Sequence, residues 1–149
     1  MEKEMYKNQE VALIDEAYKN VRMASYAIDC LIDKIENQSL EDLLRKQNRF
    51  YLDMVTKIET LAKKFDHKPK DINIMLKGMS FMSIKTKTMM NNDSPKFAEM
   101  LVQGTTMGIT DTLKAKGEYP SKNSQLNEIV DSIISHEEEF VDSLKQYLE

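Results

Sequence analysis

Four polar residues interrupt otherwise apolar helical stripes in this chain: Asn20, Gln47, Gln103 and Glu137. Each falls near the middle of its segment, so four neighbouring helices would bring the side chains to one level. Because an unpaired buried polar group costs roughly 2 kcal/mol or more, the four must serve one another or a ligand. Amides hydrogen-bond one another and a carboxylate well in a dry core, and such a layer fixes helix register. A hard divalent cation instead needs several carboxylates, or carboxylate plus imidazole, and amide oxygens alone are poor substitutes. A structural layer is the reading adopted. Its rival is an irregular metal or redox site in which Glu137 is joined by Glu138, Asp53, Asp29 or other carboxylates, which requires at least two of them to face the seam.

The remaining chemistry-bearing residues offer less. His67 lies in the polar stretch DHKPKD and reads as a solvated loop residue, while His136, next to Glu137, reads as a rim residue poorly placed to reach Asp131. Cys30 is the sole cysteine, which excludes an internal disulfide and a cysteine-rich metal site. It falls beside an apolar stripe and is most simply a small packed hydrophobe, since a nucleophilic role needs a nearby base.

The elements that must position these groups follow from periodicity. Apolar residues recur at steps of three and four from Leu13 to Ile35, from Leu40 to Phe65 and from Leu126 to Leu148, the spacing of one helix face. Ser39 followed by Asp42 resembles an N-cap for the second helix. Pro69 disfavours helical geometry at Lys68 and closes it. In the fourth segment Ser94 takes the cap position and Pro95 the first helical one, with Gly117 at the end. The expected helices span 9–36, 40–65, 71–90, 95–116 and 124–148 of one domain covering 1–149. At about 1.5 Å per residue the segment 71–90 covers roughly 30 Å, enough to carry the chain from one end of a bundle to the other. Bundle helices two and three would then run parallel, although a plain five-helix array would satisfy the same pattern.

Composition agrees. With 4 glycines, 3 prolines and no tryptophan among 149 residues, the balance favours an all-α fold. The 21 basic and 25 acidic side chains are interspersed, giving a net charge of -4 and no basic footprint for nucleic acid. The charged N-terminus is unlike a signal peptide, no run is long enough for a membrane span, and a cytoplasmic location is expected.

At this point the chain resembles a ferritin-like protein. The carboxylate-bridged members of that superfamily place one Glu on each of two helices and a Glu-x-x-His pair on each of the other two, all facing inward. Gln47-Asn-Arg-Phe50 and Glu137-Glu-Glu-Phe140 look like the two Glu-x-x-His positions, with Phe50 and Phe140 in place of both histidines. Gln103 would match the Glu of the third bundle helix, and Asn20 or a neighbour that of the first. Only Glu137 keeps a charged ligand. The runs AEMLVQGTTMGITDTLK and HEEEFVDSLKQYL further resemble small bacterial ferritin-like proteins, including a group related to spore coat proteins. The resemblance implies a ferritin-like four-helix bundle with an additional helical crossover between bundle helices 2 and 3. It implies a degenerate dimetal site with no cofactor, iron or manganese being the alternative. It also implies a homo-oligomer with a structural or protein-interaction role, possible protein partners and a spore or stress setting, not an enzyme.

Two further features invite binding readings. The stretch MLKGMSFMSIKTKTMM places Met75, Met79, Met82 and Met89 at helical spacing, which reads as core filling or as an adaptable partner surface, and thioethers also suit Cu(I). Gly104 and Gly108 lie one turn apart inside a helix, where each glycine costs roughly 1 kcal/mol relative to alanine. Such a pair permits close packing. Phe50 or Phe140 is expected to fill the hollow they leave; unfilled, it would be a pocket for an apolar ligand.

Overall fold

The computed structural model describes residues 2–70, 72, 90 and 92–149, with side chains from residue 8 onward. Four helices make up this part: α1, Glu2–Leu31; α2, Gln38–Lys64; α3, Ser94–Glu118; and α4, Ser124–Leu144. Single 3-10 turns, Ile32–Lys34 and Lys145–Tyr147, follow α1 and α4, and no strand occurs among the described residues. The all-α bundle expected from the sequence is therefore present. Apart from Ile72 and Met90, the expected segment 71–90, with Met75, Met79, Met82 and Met89, lies outside the described residues.

Local chemistry sets the helix ends. Asn37, not Ser39, caps α2: its Oδ1 accepts from the Leu40 amide at 3.0 Å. Asn123 does the same for α4 through the Leu126 amide at 2.9 Å. Each relieves one of the unpartnered N–H groups of a first turn. Ser94 is already helical, its cap position being taken by Asp93 without a side-chain bond, and Pro95 sits in the first turn where its missing N–H is not needed. Helix α2 stops at Lys64, well before Pro69. Asp66 adopts a φ of 52°, and the amides of Asp66 and His67 turn back to the carbonyls of Lys63 and Ala62 at 3.1 and 3.0 Å. This is the hydrogen-bond pattern of a Schellman C-cap, with an aspartate in the position glycine commonly takes.

Contacts at the ends give the helix directions. Ser39 at the start of α2 hydrogen-bonds Tyr147 just beyond α4, and Lys64 at the end of α2 donates to Gln125 at the start of α4 at 3.0 Å. These two helices are antiparallel. The Lys122 amide, between α3 and α4, donates to the buried Glu10 near the start of α1 at 3.3 Å. Helix α1 therefore sets out from the end at which α2 and α3 both finish, and α2 and α3 share a direction. Helix α1 packs chiefly on α2 and α3, and α4 on the same two, so the cross-section is a square.

The core is continuous through that square. Leu13, Ile14, Ala17, Val21, Ile28 and Leu31 face Leu40, Leu44, Tyr51, Ile58, Leu126, Val130, Ile133 and Leu144, all at most 1% exposed. Complete burial of one such side chain contributes about 2 kcal/mol, and this dense packing holds the polar residues at a common level. No helix among the described residues is long and apolar enough to cross a membrane.

Candidate functional site

Glu137, on the inner face of α4 between Ile133 and Phe140, is fully buried. Its two carboxylate oxygens are engaged separately: Asn20 Nδ2 donates to Oε1 at 2.7 Å, and the Tyr51 hydroxyl donates to Oε2 at 2.9 Å. The Asn20 amide also donates to Thr112 Oγ1 at 2.8 Å and, at 3.3 Å, to the Gly108 carbonyl of α3. One layer thus joins all four helices. Burial pushes the Glu137 carboxyl up from 4.5 to about 7, against the opposing pull of the Asn20 and Tyr51 donors. The Tyr51 phenol is held well above its ordinary range, first by burial and then by the Glu137 charge.

Gly108 is a structural requirement of this layer. A Cβ at that position would lie 2.6 Å from Asn20 Oδ1, so a side chain there would force the amide that links α1 to α3 and α4 to shift. Gly104, one turn earlier, behaves differently: a Cβ there meets nothing within 4 Å. It opens onto a groove of about 430 Å³ between α1 and α3, bordered also by Tyr51 and Phe140 of the opposite helices, which stay buried behind it. The hollow expected around the two glycines is therefore divided, filled by Asn20 at Gly108 and open at Gly104.

Of the four polar residues singled out by sequence, Asn20 and Glu137 meet directly. Gln47 is buried one turn before Tyr51, but its Nε2 has no hydrogen-bond acceptor among the described residues. It nudges the phenol downward without a bond of full geometry. Gln103 is exposed on the rim of the groove and takes no part in the layer, because α3 turns Leu101, Thr105 and Thr112 inward instead. Phe140 is buried at the groove floor. Phe50 does not reach the groove, since its ring stacks on His136 with centroids 3.9 Å apart and planes 10° from parallel.

The layer members that sequence reasoning missed are Tyr51 and Thr112. An aromatic ring and a β-branched side chain both pass for core residues in a periodic stripe, and their polar ends show only when a partner faces them.

The other candidates are accounted for locally. His136 is a rim residue, as expected, whose Nδ1–H donates to the Ser132 carbonyl at 2.9 Å. His67 is not a solvated loop residue: it donates from Nε2 to Asp15 on α1 at 2.8 Å, and the Lys70 amide meets the same oxygen at 2.9 Å. Asp15 thereby ties the chain after α2 to α1. Cys30 is a half-buried free thiol. Asp29, Asp53 and Glu138 are exposed; Asp29 accepts from Asn48 at 3.1 Å and Asp53 pairs with Lys57 at 3.4 Å.

Among the described residues no group of three or more His, Cys, Asp or Glu side chains is placed to hold a metal ion. Around Glu137 stand the Asn20 amide, the Tyr51 phenol and, through Asn20, the Thr112 hydroxyl, with Phe140 one turn on along α4. In comparison with known proteins, no family model, no curated protein and no solved structure matches the chain.

Proposed function

We propose that this chain is a ferritin-like bundle in which two of the dimetal positions, Asn20 and Glu137, have joined Tyr51 and Thr112 in a hydrogen-bonded layer, and that it acts as a structural or protein-interaction module. The observation that carries this reading is that both oxygens of Glu137 are taken up by side-chain donors, Asn20 and Tyr51. A metal at Glu137 would have to displace both donors. The shared direction of α2 and α3 supports the ferritin-like part, because it is the connectivity of a bundle with one long crossover. Assembly as a homo-oligomer in the cytoplasm, in a spore-coat or stress setting, belongs to the same proposal.

Elemental analysis tests the metal part, on protein purified without affinity metal and then incubated aerobically with ferrous iron. The expected result is background iron and manganese, unchanged in Glu137→Ala. Stoichiometric metal that disappears in Glu137→Ala would overturn the reading. Light scattering tests the assembly, for which a mass above one chain is expected and a single-chain mass at all concentrations would count against it.

A further inference from the structure

We propose that the groove between α1 and α3 binds a single-chain apolar molecule of about ten to fourteen carbons that carries an uncharged, proton-donating head such as a hydroxyl. The inference is independent of the ferritin-like reading, because it rests on the groove and not on the ancestry of the layer.

Gly104 provides the first argument. A glycine inside a helix costs about 1 kcal/mol relative to alanine, and close packing normally explains its presence. Gly108 has that explanation in Asn20, whereas nothing lies within 4 Å of the place a Gly104 Cβ would occupy. Gly104 is exposed, and the space beside it, which borders the groove, is used by none of the side chains described.

Size and depth indicate what would use it. The groove opens at the surface, where Met107 is 66% exposed, and Tyr51 and Phe140, at most 3% exposed, lie behind its floor. Its volume of about 430 Å³ falls in the small-molecule range of about 300–1,000 Å³. At about 30 Å³ per methylene-sized group, the share of a water in the liquid, it holds roughly 14 non-hydrogen atoms. A partner helix, about 10 Å across with its side chains, needs several times this space over the same length and would not reach the floor.

Polarity fixes the orientation. Ala27, Ile28 and Met100 line one end without a charge, while Glu16, Lys19 and Asp111 stand at the other beside Asn20. Lys19 already pairs with Glu16 at 3.7 Å, so two carboxylates against one ammonium leave one net negative charge, which disfavours an anionic head. Asn20 donates through Nδ2 to three acceptors, and its Oδ1 accepts no hydrogen bond among the described residues. A hydroxyl proton would complete it, with the hydrocarbon tail lying along Ala27 and Met100.

The test is calorimetric titration of the full chain with 1-decanol and, separately, with decanoate. Saturable one-to-one binding of decanol is expected, at least tenfold tighter than decanoate. Gly104→Leu places a side chain in the open space and should weaken decanol binding at least tenfold while raising the melting temperature. Ala27→Leu, on the opposite wall, should weaken binding likewise and keeps the test valid if the first variant misfolds. Absence of saturable decanol binding, or equal binding by both folded variants, would overturn the proposal, and tighter binding of decanoate would overturn the head assignment. A dimer that Gly104→Leu converts to monomer would give the hollow to a second copy. A photo-reactive residue at position 104 that cross-links within one chain to residues 75–90 would give it to the methionine-rich stretch. Either result would also overturn the proposal.

Discussion

The side of the bundle formed by α2 and α4 and the seam between α1 and α3 differ in how they use their inward positions. On the first, Leu44, Tyr51, Ile58, Leu126, Val130, Ile133 and Leu144 are all fully buried, a large side chain at nearly every turn. On the second, α3 turns Thr105, Thr112 and Ala115 inward, with glycines at 104 and 108. The first arrangement maximises buried area. The second gives up area for two specific results, a seat for Asn20 and a groove beside it. The groove and the seat for Asn20 thus lie on the α1–α3 side, while the layer itself draws Tyr51 and Glu137 from α2 and α4, and substitutions on the two sides should differ in size and in sign.

The largest contrast concerns truncation. Leu44→Ala, in the dense half, should cost about 3 kcal/mol through lost burial and the cavity left behind. Leu101→Ala, whose side chain already borders the groove, leaves a site that water or a ligand can enter and should cost about half as much. Urea unfolding of both variants measures the difference, and equal costs would erase the distinction between the two sides.

Next in size is a dependence on pH carried by Glu137. Its folded value of about 7 lies above its ordinary 4.5, so between these values the native chain keeps a proton that the unfolded chain has released. Its contribution is fully present below pH 4.5 and is lost as pH rises through about 7. The two-and-a-half-unit separation corresponds to about 3 kcal/mol. In Glu137→Gln this slope should vanish, because the amide cannot ionise. A wild-type slope that persists in the variant would place the titration elsewhere.

Smaller is the effect of Tyr51→Phe, which removes the donor to Glu137 Oε2 without altering the ring. A hydrogen bond to a charged group contributes about 2 kcal/mol, so the loss should be larger at pH 8 than at pH 5. The Glu137 midpoint, followed by carboxyl NMR, should move further upward.

Sequence reasoning reached the helices and half of the site, and its failures have physical reasons. The steps of three and four in α1, α2 and α4 are unambiguous because large apolar residues mark every turn, and the same steps carried Asn20 and Glu137 to one level. Helix α3 gives no such marks. With threonines and glycines inward, its phase is weakly written, so Gln103 reads as an interruption of the stripe near the middle of the helix, although Thr112 supplies the contact. At the start of α2 both Asn37 and Ser39 are good capping residues, and only the backbone decides between them. The link from His67 to Asp15 joins residues 52 apart, and no local pattern announces it.

The two glycines of α3 test the account most directly, because the same substitution is made one turn apart in the same helix. Gly104→Ala meets open space and should raise stability by about 1 kcal/mol through helix propensity alone. Gly108→Ala brings a methyl to 2.6 Å from Asn20 Oδ1, displaces the amide from Glu137 and should lower stability by about 2 kcal/mol despite the same gain in propensity. Opposite signs in one urea-unfolding experiment are the result this structure predicts. Two stabilising substitutions, or two destabilising ones of equal size, would contradict it.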